Sequence, residues 1–159
     1  MNENYYRLMF ALIRKLFIKR KDIAFIDGDQ DLDLNIFVYK KYLLNTRTIF
    51  IRQQDKKANP PRKLKSLHKL ETLYLNNFSK KKEIVDKCIA IYIHKVLTEG
   101  YNNITVVSSD YDFIDIFRLI ITLETLPTHI KFRLIIPNPI GKTASLPDKY
   151  YNIEVVKIH

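Results

Sequence analysis

The chain has 159 residues, 47% of them hydrophobic and 12% aromatic, which excludes intrinsic disorder and suits one domain with its own core. Lys and Arg number 27 against 17 Asp and Glu, and the net charge of +10 points to nucleic acid or an anionic membrane as partner; general solubility charge in a Lys-rich chain is the plainer reading. The single cysteine, Cys88, excludes an intrachain disulfide and a Cys-based zinc site, so a reducing, cytoplasmic compartment is expected.

Residues 4–20 place Tyr5, Met9, Leu12, Ile13, Leu16 and Phe17 at helical spacing, with a basic face of Arg7, Arg14, Lys15, Lys19 and Arg20. This predicts an amphipathic helix over 1–21 that packs on the domain; membrane contact or assembly into a homo-oligomer is its second use. The run Leu8 to Ile18 is broken by Arg14 and Lys15, is too short to cross a bilayer and lacks a signal-peptide cleavage site.

Ile23 to Ile26 reads as a buried strand ending in Asp27-Gly28-Asp29. A helix is predicted from Leu32 to Leu44, a second strand from Thr48 to Ile51, and a basic surface loop over 53–66 around Pro60-Pro61. Leu70 to Leu75 predicts a third strand. Lys80 opens a long helix through Leu97, ended near Gly100, with Cys88 on its core side. Ile104 to Val107 is a fourth strand, followed by a helix to about Leu126. Phe132 to Ile136 is a fifth strand, 137–149 a loop, and Ile153 to Ile158 a sixth strand at an edge. Strands alternating with helices imply an α/β, Rossmann-like three-layer sandwich: a mainly parallel sheet of five to six strands with helices on both faces. One domain over 1–159 is expected, its core over 22–136 and a C-terminal loop and strand over 137–159.

In such a sheet, carboxylates at the ends of neighbouring strands converge in one crevice. Asp27 and Asp29 follow the first strand, and Asp110 and Asp112 follow the fourth. Asp86 lies one turn into the long helix. Gathered carboxylates repel and raise one another's pKa unless a cation neutralises them, and Mg²⁺ or Mn²⁺ is the hard, oxygen-seeking candidate. The plainer reading of each Asp is a turn or helix cap: Asp29 or Asp31 before Leu32, and Ser109 or Asp110 before the helix after Tyr111. Asp86 discriminates, since it sits in an otherwise apolar window; the helix dipole is its plain explanation. His68, His94, His129 and His159 show no metal-ligand spacing.

Three blocks carry a family resemblance. Phe25-Ile-Asp-Gly-Asp-Gln30, Lys82-Glu-Ile-Val-Asp86 and Val107-Ser-Ser-Asp-Tyr-Asp-Phe113 together resemble the NYN domain of the PIN-like nuclease superfamily over roughly 22–136. The resemblance implies a Rossmann-like sheet and cleavage of RNA with Mg²⁺ or Mn²⁺. It implies Asp27, Asp86, Asp110 and Asp112 as catalytic acids, Asp27, Asp110 and Asp112 with Asp29 as metal ligands, and Ser108 and Gln30 as supports. Gln30 stands where the family has Asn, which predicts a longer or lost hydrogen bond in the site. The lysine stands one residue further from Asp86 than in the family, with Glu83 nearer. The glycine before the fifth strand is replaced by Thr128-His-Ile-Lys131.

Lys56, Lys57, Arg62, Lys63 and Lys65 form a basic loop, and Lys80, Lys81 and Lys82 adjoin Asp86. They are the expected path for RNA phosphates, with Tyr111 stacking on a base or packing half-buried. Two other functions fit parts of the pattern. Ile23-Ala-Phe-Ile-Asp27-Gly-Asp29 also looks like the opening of a haloacid-dehalogenase-type phosphatase. A non-catalytic RNA- or protein-binding module would retain the acids only as caps.

Overall fold

The computed structural model describes residues 2–17, 19–30, 38–53, 60, 62–65, 69–76, 78 and 83–159. Its elements are helix α1 (Glu3–Phe17), strand β1 (Asp22–Asp27), a π-helical segment α2 (Tyr39–Leu43), β2 (Arg47–Arg52), α3 (Arg62–Lys65), β3 (Leu70–Tyr74), α4 (Ile84–Thr98), β4 (Asn103–Val107), α5 (Asp112–Leu123), β5 (Lys131–Pro137), a 3₁₀ turn (Gly141–Thr143), β6 (Lys149–Tyr150) and β7 (Ile153–Ile158).

The strands form one sheet in the order β3-β2-β1-β4-β5-β7-β6. All neighbours run parallel except β6, which pairs antiparallel with β7. Central strands of a parallel sheet are covered on both faces, and β1 and β4 are buried almost throughout, with Thr105 as the polar residue inside the apolar run of β4. On one face, Ile23, Phe25, Ile104 and Val106 pack against Val85, Ile89 and Ile93 of α4 and Phe113 and Phe117 of α5. Phe117 stacks on Phe132 with ring centroids 4.8 Å apart. On the other face, Ala24, Ile26, Phe50, Val107 and Ile135 meet Val38, Tyr39 and Leu43 around α2 and Leu64 of α3. The result is an α/β fold consistent with a Rossmann-like sandwich.

Three expectations need correction. The sheet has seven strands, because Lys149–Tyr150, inside the segment expected as loop, turns back on β7 as a two-residue hairpin. Consequently β7 is the second strand from the edge, between β5 and the short β6. The helix expected to reach Leu126 ends at Leu123, where Glu124 closes on Ile120 and Thr125 takes a positive φ of 49°. In α1, Tyr5 and Leu12 of the expected apolar face are exposed and Met9 is half-buried, while the side chains of Ile13, Leu16 and Phe17 lie outside the described set. Residues 32–37 of the helix expected over 32–44, the cap candidate Asp31, the stretch 54–59 and Lys80 to Lys82 lie outside the described residues.

The turn after β1 is tight. Gly28 is buried, and its N–H donates to the Ile51 carbonyl at 2.7 Å. A Cβ there would lie 2.7 Å from that carbonyl oxygen and 2.7 Å from the Phe50 ring. The ring can shift but the backbone oxygen cannot, so Gly28→Ala is expected to destabilise by about 1–3 kcal/mol. Urea denaturation of parent and variant checks this; equal midpoints would show that the turn has slack.

Candidate functional site

Strand order reverses between β1 and β4. The chain grows outward through β2 and β3 on one side, then crosses back through α4 to build β4, β5 and β7 on the other. Connections leaving the carboxyl ends of β1 and β4 therefore diverge, and a crevice opens between them. Asp27 is the last residue of β1, and Ser108 directly follows β4.

Asp27 is only 3% exposed. Its Oδ1 accepts the Asp29 N–H at 3.2 Å and its Oδ2 accepts the Ser108 hydroxyl at 3.2 Å. Burial raises its carboxyl above the ordinary range, and these two hydrogen bonds oppose that rise.

Asp86 reaches the same place from the first turn of α4. Its carboxyl is within hydrogen-bonding reach of both Asp110 and Asp27. It is pushed up to about 8, first by burial, then by the hydrogen bond to Asp110 and the negative charges of Asp27 and Asp110. The contact between Asp86 and Asp27 raises the former and lowers the latter. Burial and the neighbouring negative charges thus favour the neutral form of Asp86.

Asp110 has two jobs. Its N–H donates to Ser108 Oγ at 3.1 Å, and its Oδ1 accepts the Asp112 N–H at 2.9 Å, which caps α5. Asp112 is exposed beside it, its carboxyl raised first by the charge of Asp110 and further by burial, Glu83 and Asp115. Asp29 adjoins the cluster: its charge helps to raise the Asp27 carboxyl, and its Oδ1 accepts the Gln53 N–H at 2.9 Å, which ties the β1 turn to the exit of β2.

The hydrogen bond expected to lengthen at Gln30 is instead short. Gln30 Oε1 accepts from Ser109 N–H at 2.6 Å, from Ser109 Oγ at 2.9 Å and from Ser108 Oγ at 3.5 Å. The longer side chain spans from the β1 turn to the tip of β4.

Beside the cluster is a cleft of about 280 Å³ lined by Glu83, Asp86, Lys87, Asp110, Asp112 and Ile116. The sequence reading did not count Glu83 among the acids of the site. Its signal was the position three residues before Asp86, one helical turn away. Glu83 holds φ of 78°, a conformation disfavoured for a side chain with a Cβ, at the entrance to α4. Arg52, ending β2 at the same edge of the sheet, was also overlooked; its Nε is buried without a hydrogen-bond partner.

Of the expected nucleic-acid contacts, Tyr111 is exposed between the two aspartates, and Lys65 is exposed on α3. Arg62 and Lys63 lie in α3, with side chains outside the described set. Lys56, Lys57, Lys80, Lys81 and Lys82 also lie outside it. Cys88 is half-buried beside the core, and burial raises its thiol. His94 is exposed and bridges α4 to Glu124 after α5.

The donor set is hard and oxygen-only, and like charges gathered this closely suit a divalent cation. Among the described residues no three His, Cys, Asp or Glu side chains stand in a ready-made coordination shell. No family model, curated protein or solved structure matches this chain.

Two predictions follow from these contacts. The Asp86 carboxyl titrates at about 8 when folded against an ordinary value of 3.8, so between those values the folded state binds the extra proton. Stability from this group is full below about pH 4, falls as pH rises, and levels off above about pH 8, the reverse of a salt-bridged carboxylate. Urea midpoints in EDTA are expected to fall between about pH 5 and about pH 9. Asp86→Asn should flatten that slope; an unchanged slope would place the proton elsewhere. Separately, Gln30→Ala is expected to cost about 1 kcal/mol and to speed amide exchange at Ser109, and Gln30→Asn, one methylene shorter, should behave similarly.

Proposed function

We propose that this chain is a metal-dependent ribonuclease of NYN type with PIN-like layering, hydrolysing RNA phosphodiester bonds at the Asp27–Asp86–Asp110 cluster. One observation carries the reading. Asp86, from a helix that crosses the sheet, meets the carboxyls at the ends of β1 and β4 at the switch point in strand order. A cap explains Asp110 and a helix dipole explains an acid near the start of α4. Neither explains why three carboxyls stand within reach of one another in a half-buried crevice, at the cost of mutual repulsion. Described residues of each motif block contribute to it: Asp27 and Gln30, Glu83 and Asp86, and Ser108, Asp110 and Asp112.

Asp27, Asp86, Asp110 and Asp112 are the residues that would hold Mg²⁺ or Mn²⁺. When bound, such an ion lowers the pKa of water and offsets charge on the phosphoryl oxygens. The chain's own groups do the positioning. Ser108 holds Asp27 Oδ2 in place, Gln30 locks the β4 tip, and Asp110 sets the start of α5 and with it Asp112. Lys87 on the cleft wall attracts a phosphate, and exposed Tyr111 offers a face on which a base can stack. In-line attack of water forms a new bond to phosphorus and breaks the bond to the 3′ oxygen, which takes up a proton. The products are a 5′-phosphate and a 3′-hydroxyl.

The phosphatase alternative uses Asp29 as its acid, yet Asp29 Oδ1 is engaged with the Gln53 backbone. That alternative also has no role for Asp86.

The test is cleavage of single-stranded and structured RNA by purified protein with Mg²⁺, Mn²⁺ or EDTA. Cutting is expected with either metal and not in EDTA. Asp27→Asn and Asp112→Asn should each lose about 10²-fold or more, and Ser108→Ala about 10–100-fold. Cleavage that survives EDTA or Asp112→Asn would overturn the metal mechanism. RNA bound but never cut would leave a binding module.

A further inference from the structure

Helix α1 contributes nothing to the crevice, and its surface is unlike that of a helix meant for water. At about 100° of rotation per residue, Tyr5, Tyr6, Leu8, Met9, Phe10 and Leu12 share one broad arc, away from Glu3, Asn4 and Arg7. Leu8 is 65% exposed, Phe10 59%, Tyr5 55% and Leu12 53%. Single apolar side chains on a surface are ordinary, but a cluster of this size on one helix marks an interaction face. Residues 3–21 also carry Arg7, Arg14, Lys15, Lys19, Arg20 and Lys21 against Glu3 alone.

Among the described residues, the segment that follows the helix is fastened to the body of the protein beside Asn102. The buried Asn102 side chain donates to the Lys19 carbonyl at 3.0 Å and accepts the Lys21 N–H at 2.9 Å. Lys21 Nζ donates to the Glu99 carbonyl at 3.0 Å and lies over the Tyr101 ring. This joint is at the amino end of β1, whereas the acids are at its carboxyl end, about 20 Å away along the strand.

We propose that α1 is an interfacial helix that seats the protein on an anionic lipid surface. Leu8, Phe10, Leu12 and the two tyrosines enter the boundary between headgroups and acyl chains, and the basic residues stay at the level of the lipid phosphates. At 15 residues α1 spans about 22 Å, less than the ~30 Å hydrocarbon core, so it lies along the surface. No helix among the described residues is long and apolar enough to cross a membrane. Charge and chemistry separate this partner from the others. Two copies pairing through α1 would bring the same basic segments together. RNA would satisfy the charges but has no apolar interior for Leu8, Phe10 and Leu12. Anionic lipid satisfies both, and the joint at Asn102 leaves the acid crevice at the end of the sheet away from the helix.

The test is sedimentation of the full chain with phosphatidylcholine vesicles, with and without phosphatidylglycerol. Binding is expected only with phosphatidylglycerol and should weaken with added salt. Leu8→Glu and Leu12→Glu should each weaken it about tenfold or more, and Lys19→Gln about fivefold. Lys19→Gln leaves the apolar arc intact, so its effect stands even where a glutamate unwinds the helix. Equal binding to phosphatidylcholine alone, or binding unchanged by Leu8→Glu, would overturn the proposal. A dimer or an RNA complex that forms through α1 while vesicles are ignored would also overturn it. RNA cleavage is read separately, so a failure at the crevice does not touch this result.

Discussion

A carboxyl group buried at the end of a central strand has to be answered by its neighbours, and much of the local structure is the answer given to Asp27. Its two oxygens take an N–H from the following turn and a hydroxyl from Ser108 on the adjacent strand. The first closes the turn after β1, and the second stitches β1 to β4 at the point where the sheet changes direction. Ser108 Oγ then accepts the Asp110 N–H, and Asp110 Oδ1 accepts the Asp112 N–H, so the chain of contacts runs from a buried acid into the first turn of α5. Removing one link leaves a buried polar group unpaired, which is costlier than the bond itself is worth.

The helix α4 completes this arrangement because of where it must pass. β3 is at one edge of the sheet and β4 is on the far side of β1, so the connection runs across one face. Ile89, Ile93 and Val96 bury against that face and fix the roll of the helix. Its first turn is then held over the carboxyl edge, with Asp86 directed at Asp27 and Asp110. Core packing and the position of one carboxyl are thus the same constraint. The positive φ of Glu83 sits where the chain enters this helix, consistent with backbone strain concentrating beside functional groups.

The two ends of β1 meet different chemistry. The carboxyl end gathers negative charge in a half-buried crevice with Lys87 at its rim. The amino end is anchored by Asn102 and leads back into a basic helix with an exposed apolar arc. A sheet only six residues deep at β1 keeps them separate, so each end can be altered with little direct effect on the other.

The alternating apolar runs by themselves determined an α/β fold, because a strand such as Ile23 to Ile26 with no polar face is stable only when both faces are covered. The acids ending two of those strands were legible for the same reason: a charged residue directly after such a run must fall at the sheet's edge. Periodicity also found α1, but could not say whether its apolar side was covered, since that depends on whether the sheet faces were already occupied. Lys149 and Tyr150 were missed as a strand because two residues carry no period. Glu83 had a signal in its helical spacing from Asp86, but the place of Arg52 and the reach of Gln30 were legible only in three dimensions. Their meaning depends on the distance from β1 to the tip of β4 and on the roll of α4, and both are set by long-range packing.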